Sequence, residues 1–122
     1  MSELLEALRA RCDRPDRGLR FGSAEAPLVS YMELWKRAES LSFGLSPGDR
    51  VLLVGDNSQA QVEALLGCWW AGLVPICAPP PARLSPGQIY RESLHNWVQL
   101  SGARAGWVEP ELLERCSEIP LE

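Results

Sequence analysis

Short apolar runs alternate along this chain with segments that carry the spacing of amphipathic helices. The runs "RVLLVGD" (50–56), "LVPICA" (73–78) and "RAGWVE" (104–109) are bounded by turn residues, which is typical of buried strands. A helical segment separates each run from the next. This alternation predicts an α/β fold with a small three-stranded parallel sheet, flanked by helices and joined by right-handed crossovers. We expect the strands at residues 51–54, 74–77 and 105–108.

Helix starts are marked by capping boxes, in which a serine precedes a glutamate or glutamine by three positions. These boxes begin at Ser30, Ser58 and Ser85, and each is expected to open a helix. Gly72 is the predicted C-terminal cap of the second helix. The buried stripes predicted from periodicity are Leu34, Ala38, Leu41 and Leu45 in the first helix, and Val62, Leu65, Leu66 and Trp69 in the second. Before them we expect an N-terminal helix and a small hairpin in "LRFGSAEAPLVS" (19–30).

The length of 122 residues allows one domain, which we assign to 1–122. Apolar residues make up 46% of the chain, and no apolar run approaches the roughly 20 residues of a membrane span. The opening "MSELLEALRARCDRPDR" lacks the apolar core of a secretory signal. The sequence therefore predicts a cytoplasmic protein without membrane contact.

The charge distribution argues against nucleic acid as a partner. The formal net charge is −4, and among the 12 basic residues the only lysine is Lys36. Arginines are nevertheless bunched near the start of the chain. This cluster either docks an acidic surface or is the solvated face of the first helix, interleaved with acidic residues. Its members are Arg9, Arg11, Arg14, Arg17 and Arg20.

The cysteines give no pattern of a metal site. Cys12, Cys68, Cys77 and Cys116 are irregularly spaced and form no Cys-x-x-Cys pair, and His95 is the single histidine. We expect no metal site and four reduced, structural thiols.

Candidate catalytic residues are few. Ligands of open parallel sheets bind beyond the carboxyl ends of the strands, but none of the loops there has the glycines and lysine of a phosphate cradle. His95 has the chemistry of a general base, yet it stands at helical spacing and is better interpreted as a surface or packing residue. Asp56 and Asn57 are interpreted as a helix start. No catalytic, cofactor-binding or metal-ligating residue is therefore predicted.

Tryptophan is unusually frequent, with five in the chain. Core packing accounts for Trp69 and Trp107, but the adjacent Trp69 and Trp70 cannot share one helix face. We therefore predict an interface that contains Trp35, Trp70 or Trp97, covered by a second copy of the chain or by a neighbouring domain.

Two stretches together carry a family resemblance. "LVSYMELWKRAESLSFGLSPGDRVLLVGDNS" (28–58) resembles the opening signature of adenylate-forming enzymes, and "LLGCWWAGLVPICAPPP" (65–81) resembles their next one. With "LHNWVQLSGARAGWVEPELL" (94–113), the chain is most similar to the N-terminal portion of the fatty-acyl-AMP ligase-like loading domains of polyketide and nonribosomal peptide synthases. The resemblance implies a partial N-terminal subdomain of that fold. In complete family members it implies ATP and Mg²⁺, bound by motifs that have no counterpart in this sequence.

Three functions remain open on these grounds. The first is a catalytically silent, structural or protein-interaction module of a polyketide or nonribosomal peptide assembly line, without a cofactor of its own. The second is the excised N-terminal fragment of an active fatty-acyl-AMP ligase, in which case the terminal "LE" is a cloning remnant. The third is an unrelated small α/β binding protein. The sequence does not identify the acyl substrate, the pathway or the partner.

Overall fold

A parallel sheet of three strands forms the centre of the molecule, as the alternating pattern predicts. The computed structural model describes residues 3–41, 44–80 and 87–110. Its elements in chain order are α1 (Glu3–Ala10), β1 (Gly18–Leu19), β2 (Val29–Ser30), α2 (Tyr31–Ser40), β3 (Arg50–Val54), α3 (Gln59–Trp70), β4 (Val74–Ala78), α4 (Gly87–Ser101) and β5 (Ala105–Val108).

The sheet has the order β4-β3-β5, and both pairs are parallel. Leu53 in the central strand lies opposite Cys77 on one side and Trp107 on the other. Each of the three strands lies within one residue of its predicted bounds. The fold class, a small parallel α/β sheet flanked by helices, is confirmed.

Alternation along β3 divides the core into two layers. Val51 and Leu53 pack with α3, whereas Leu52 and Val54 pack with α4 on the opposite face of the sheet. All four side chains are buried, because helices cover the central strand on both sides. The apolar run that predicts a buried strand is thus explained by the two helical layers.

The helix starts predicted at Ser30 and Ser58 are confirmed, with each serine as the N-cap. Ser30 Oγ accepts a hydrogen bond from the Glu33 N–H at 3.2 Å, and Ser58 Oγ accepts one from the Gln61 N–H at 3.1 Å. The third box, at Ser85, lies outside the described residues. Each observed cap satisfies a backbone donor that the first turn of its helix leaves unpaired.

Gly72 ends α3 as predicted. Its φ is +77°, a conformation that residues with a Cβ adopt reluctantly. The Gly72 N–H donates to the Trp69 carbonyl at 3.2 Å and the Leu73 N–H donates to the Cys68 carbonyl at 2.8 Å. This pair of bonds is the Schellman motif, and it turns the chain directly into β4.

The predicted buried stripe of α3 is wrong in register. The fully buried positions are the small residues Ala64, Gly67 and Cys68, whereas Leu66 is only half-buried. Size explains the difference, because α3 lies between the sheet and α2. A Cβ at Gly67 would stand 3.2 Å from the Ala38 carbonyl oxygen, so only a small residue allows this approach.

The remaining half-buried members of that stripe are Val62, Leu65 and Trp69. In α2 the prediction is correct for Leu34 and Ala38, which are buried. It is wrong for Leu41, which is exposed because α2 ends at Ser40.

The N-terminal part forms a helix and a short hairpin, as predicted. Leu5 and Cys12 pack against Trp35, which attaches α1 to α2. The strands β1 and β2 are antiparallel and only two residues long. Because α1 ends at Ala10, the arginines from Arg11 onward lie beyond the helix and do not form a helix face.

Candidate functional site

The carboxyl edge of the sheet is where a fold of this type places a ligand. After β3, the exposed Asp56 and Asn57 lead into α3. Asn57 has a φ of +58°, and its N–H donates to the Gln61 side-chain oxygen at 2.6 Å. This loop is therefore built to start a helix, in agreement with the sequence interpretation.

The described loop after β3 does not form a phosphate cradle for ATP. The loop after β3 holds a single glycine, and its Asn57 N–H is already bonded within the chain. Within residues 3–41, 44–80 and 87–110, no three His, Cys, Asp or Glu side chains are grouped so that they could hold a metal ion. His95 is exposed on α4, and Lys36 is exposed on α2.

The three cysteines in the described residues are free thiols in two environments. Cys12 and Cys68 are buried, and Cys77 is exposed on β4. Burial and, secondarily, the nearby Cys77 raise the pKa of Cys68 from its usual 9.0 to about 11. Cys68 is therefore a protonated packing residue at neutral pH. Cys116 lies outside the described residues.

Two of the tryptophans singled out as interface candidates contact each other. The rings of Trp35 and Trp70 meet edge to face with centroids 5.4 Å apart. Trp35 is only 5% exposed, and its indole N–H donates to the Glu39 carboxylate. Trp70 is 37% exposed. Trp35 thus packs inside this chain, and Trp70 is the member of the pair that a partner can reach.

The third interface candidate lies on the opposite face of the sheet. Trp97 is half-buried on α4 and meets Tyr90 edge to face, with centroids 6.0 Å apart. It borders an open cavity of about 400 Å³ between β4 and α4. We call this cavity the β4 groove; its lining is Leu52, Ile76, Cys77, Ala78, Pro79, Trp97, Leu100 and Ser101.

Large apolar side chains are exposed at the β4 groove and along β4. Leu100 is 85% exposed at the groove, and Val74 is 44% exposed at the start of β4. Within the described residues β4 is an outer strand, paired with β3 alone. Exposed apolar side chains beside an open strand edge are typical of a surface that another polypeptide covers.

Sequence reasoning missed this groove, although the sequence contains a signal for it. Leu94 and Val98 form the buried stripe of α4. Leu100 does not continue that stripe, because it follows Val98 by only two positions and so points elsewhere. A large apolar residue outside the buried stripe of an amphipathic helix indicates that the helix has a second contact surface.

Comparison with known proteins gives matches among solved structures only. No protein-family model and no curated protein matches the sequence. A structure of fatty acyl-adenylate ligases from E. coli and L. pneumophila superposes with a TM-score of 0.79 and 28% identity over 92% of this chain. A benzoate CoA ligase from Burkholderia xenovorans matches 96% of it with a TM-score of 0.66 and 25% identity. This chain has the fold of part of an adenylate-forming enzyme.

The fatty acid AMP ligase from Legionella pneumophila has the same fold over 92% of the chain, with a TM-score of 0.74 and 23% identity. The match covers 21% of the first of these three solved chains, 23% of the second and 20% of the third. The chain thus spans about a fifth of the adenylate-forming enzymes that it resembles. The resemblance seen in the sequence motifs is confirmed at the level of this fold.

Among the described residues, no helix is both long enough and apolar enough to cross a bilayer.

Proposed function

We propose that this chain is a protein-interaction module of the adenylate-forming type, which acts in a polyketide or nonribosomal peptide assembly line in the cytoplasm. In this proposal it has no ligase activity and no cofactor of its own. Its partner is a neighbouring domain of the same assembly line, and its binding surface is the β4 groove.

The observation that carries the proposal is the open apolar surface at β4. Leu100 would be expected to be polar if this side of α4 faced only water. The groove also lies beside an outer strand, so a partner can gain both apolar burial and backbone hydrogen bonds from it. In the solved chains of this fold, a unit of this size makes up only about a fifth of the chain. That relation supports a protein domain as the occupant.

Catalytic silence is proposed because the sequence has no phosphate-binding loop and only one lysine, Lys36, which is exposed on α2. The chain incubated with ATP, Mg²⁺ and a panel of fatty and aryl acids should release no pyrophosphate. The Lys36→Ala variant is the matched control. Turnover by the parent chain above this control would overturn the proposal of silence.

Docking can be tested with Cys77, because it is exposed on β4, the outer strand that borders the groove and that a docked domain would cover. Purified condensation, ketosynthase and carrier domains are added in turn, and iodoacetamide labelling of each cysteine is followed by mass spectrometry. A domain that occupies the groove should slow labelling of Cys77, and the Leu100→Ser variant should abolish this protection. Unchanged Cys77 labelling with all three domains would contradict docking at this surface.

The similarity to fatty acyl-adenylate ligases favours a second candidate. The chain would then be the N-terminal fragment of an active fatty-acyl-AMP ligase that uses ATP to activate an acyl chain for transfer to a carrier protein. The two candidates differ in what restores activity. Pyrophosphate release that appears when the natural downstream sequence is joined to this chain supports the ligase, whereas continued silence supports the interaction module.

A further inference from the structure

A cavity of about 390 Å³ lies beside α1, α2 and α3 and shares no lining residue with the β4 groove. Its apolar wall consists of Leu8 from α1, Tyr31 and Trp35 from α2, and Leu66 from α3. The volume is near the lower end of the roughly 300–1,000 Å³ that small-molecule sites occupy. The partial exposure of Leu66, which sequence periodicity did not predict, is explained by this cavity.

Three arginines of the N-terminal cluster line the same cavity. They are Arg11, Arg14 and Arg17, and they lie in the turns that follow α1. The Arg14 N–H donates to the Arg11 carbonyl at 3.5 Å, and the Arg17 N–H donates to the Arg14 carbonyl at 3.1 Å. These successive three-residue turns bring every third side chain to the cavity.

No direct ion pair in the described residues neutralises these arginines, although two carboxylates lie nearby. Glu39 accepts a hydrogen bond from Trp35, and Glu39 and Asp13 both act on Cys12. In the described part of the chain, none of the three guanidinium groups has a hydrogen bond or an ion pair, and no carboxylate lines the cavity. By contrast, Arg37 pairs with Glu63 at 3.8 Å. All three arginines are exposed to solvent, so their guanidinium groups are accessible to a ligand.

Cys12 adds no negative charge to the lining. Burial, followed by the Asp13 carboxylate, raises the pKa of the Cys12 thiol, so the thiol is protonated at neutral pH. The lining residues therefore combine an apolar wall with three arginines, and the nearby Asp13 and Glu39 carboxylates do not line the cavity themselves.

We propose that this cavity binds a small amphiphilic anion, in which a carboxylate or phosphate group is held by the arginines and an apolar group fills the space beside Trp35 and Leu66. Guanidinium groups recognise both head groups through paired, charge-assisted hydrogen bonds. The indole and phenol rings offer flat apolar contact area to the tail. A nonionic amphiphile would leave the arginines unpaired, and a small inorganic anion would leave the apolar wall uncovered.

The proposal is tested by calorimetric titration of the intact chain with decanoate and decyl phosphate, both below their micellar concentrations. Decanol and acetate serve as probes that lack the charge and the tail, respectively. We expect one anion to bind per chain, more tightly than decanol or acetate, with an affinity that falls as salt is added. The tighter of the two anions identifies the head group. Decanol binding as tightly as decanoate would overturn the proposal.

Matched variants locate the site. Arg14→Gln combined with Arg17→Gln should raise the dissociation constant of the anion about tenfold or more, since each variant removes a charge-assisted hydrogen bond. Arg104→Gln, an exposed arginine outside the cavity, should leave it unchanged. Leu66→Trp fills the recess and keeps the charges, so it should abolish binding while circular dichroism shows a folded chain. Parent-like affinity in the double arginine variant, or in a folded Leu66→Trp variant, would show that the anion does not bind in this cavity.

Discussion

Burial of individual leucines shows where apolar periodicity is a good guide and where it is not. Leu53 is 0% exposed at the centre of β3, between the helical layers. Leu66 is half-buried and lines the arginine-rich cavity beside α1. The two residues have the same side chain, and both were predicted to be core residues. They nevertheless bury very different amounts of apolar surface on folding.

We expect Leu53→Ala to lower the free energy of unfolding by about 2–5 kcal/mol, the usual cost of a buried leucine truncation. Leu66→Ala should cost clearly less, about half as much, because less surface is buried and the cavity is already present. Urea denaturation of both variants and the parent measures the difference. Equal costs would mean that Leu66 is as buried in solution as Leu53.

Cys68 provides a second residue-scale prediction, on pH. Its folded-state pKa of about 11 lies above the usual 9.0, so the folded chain holds the thiol proton more tightly than the unfolded chain does. The stabilisation is complete below pH 9 and is lost as the pH rises towards 11. Between pH 8 and pH 10.5 we expect the parent to lose up to about 2 kcal/mol more stability than Cys68→Ala. Parallel pH profiles for the two proteins would contradict this assignment.

At the scale of elements, helix boundaries follow from local chemistry. Two capping serines and a left-handed glycine define the observed ends of α2 and α3. Each acts within a few residues of the chain, which explains why these boundaries are predictable from sequence. Which face of α3 is buried cannot be predicted from nearby residues alone, because it depends on how closely α2 and the sheet approach this helix.

We expect Ser58→Ala to lower the free energy of unfolding by about 0.5–2 kcal/mol, since it removes the hydroxyl that accepts the Gln61 N–H. Ser58→Asp preserves an acceptor and should stay close to the parent. Thermal denaturation followed by circular dichroism compares the three proteins. If the alanine and aspartate variants melted alike, well below the parent, the cap would not be the reason for the loss.

At the scale of the whole molecule, exposed aromatic and apolar residues lie on both faces of the sheet. Trp70 is on the α3 side, and Trp97 with Leu100 is on the α4 side. Trp35 belongs to neither surface, because it is packed within the N-terminal cluster. The predicted interface at these tryptophans therefore remains a prediction, with Trp70 and Trp97 as its accessible members.

In the absence of another partner, we expect the β4 groove to form a two-fold dimer, since one apolar surface can cover its own copy. Sedimentation at micromolar concentration should show a dimer that dissociates on dilution. Leu100→Glu should weaken it at least about tenfold, because a buried unpaired charge is costly. The Trp70→Ala variant tests whether the dimer forms instead through the α3 side of the sheet. A parent chain that is monomeric at every concentration would leave only a heterologous partner.

The sequence by itself determined the class of the fold, the three strands, the helix starts at Ser30 and Ser58 and the turn at Gly72. These features depend on side-chain period, backbone conformation and hydrogen bonds between residues close in the chain. Tertiary structure alone decided which residues of α3 are buried, that Trp35 is internal, and that three arginines and an apolar wall meet in one cavity. Those outcomes depend on distances between elements far apart in sequence, where the size of a residue such as Gly67 sets how closely two helices pack.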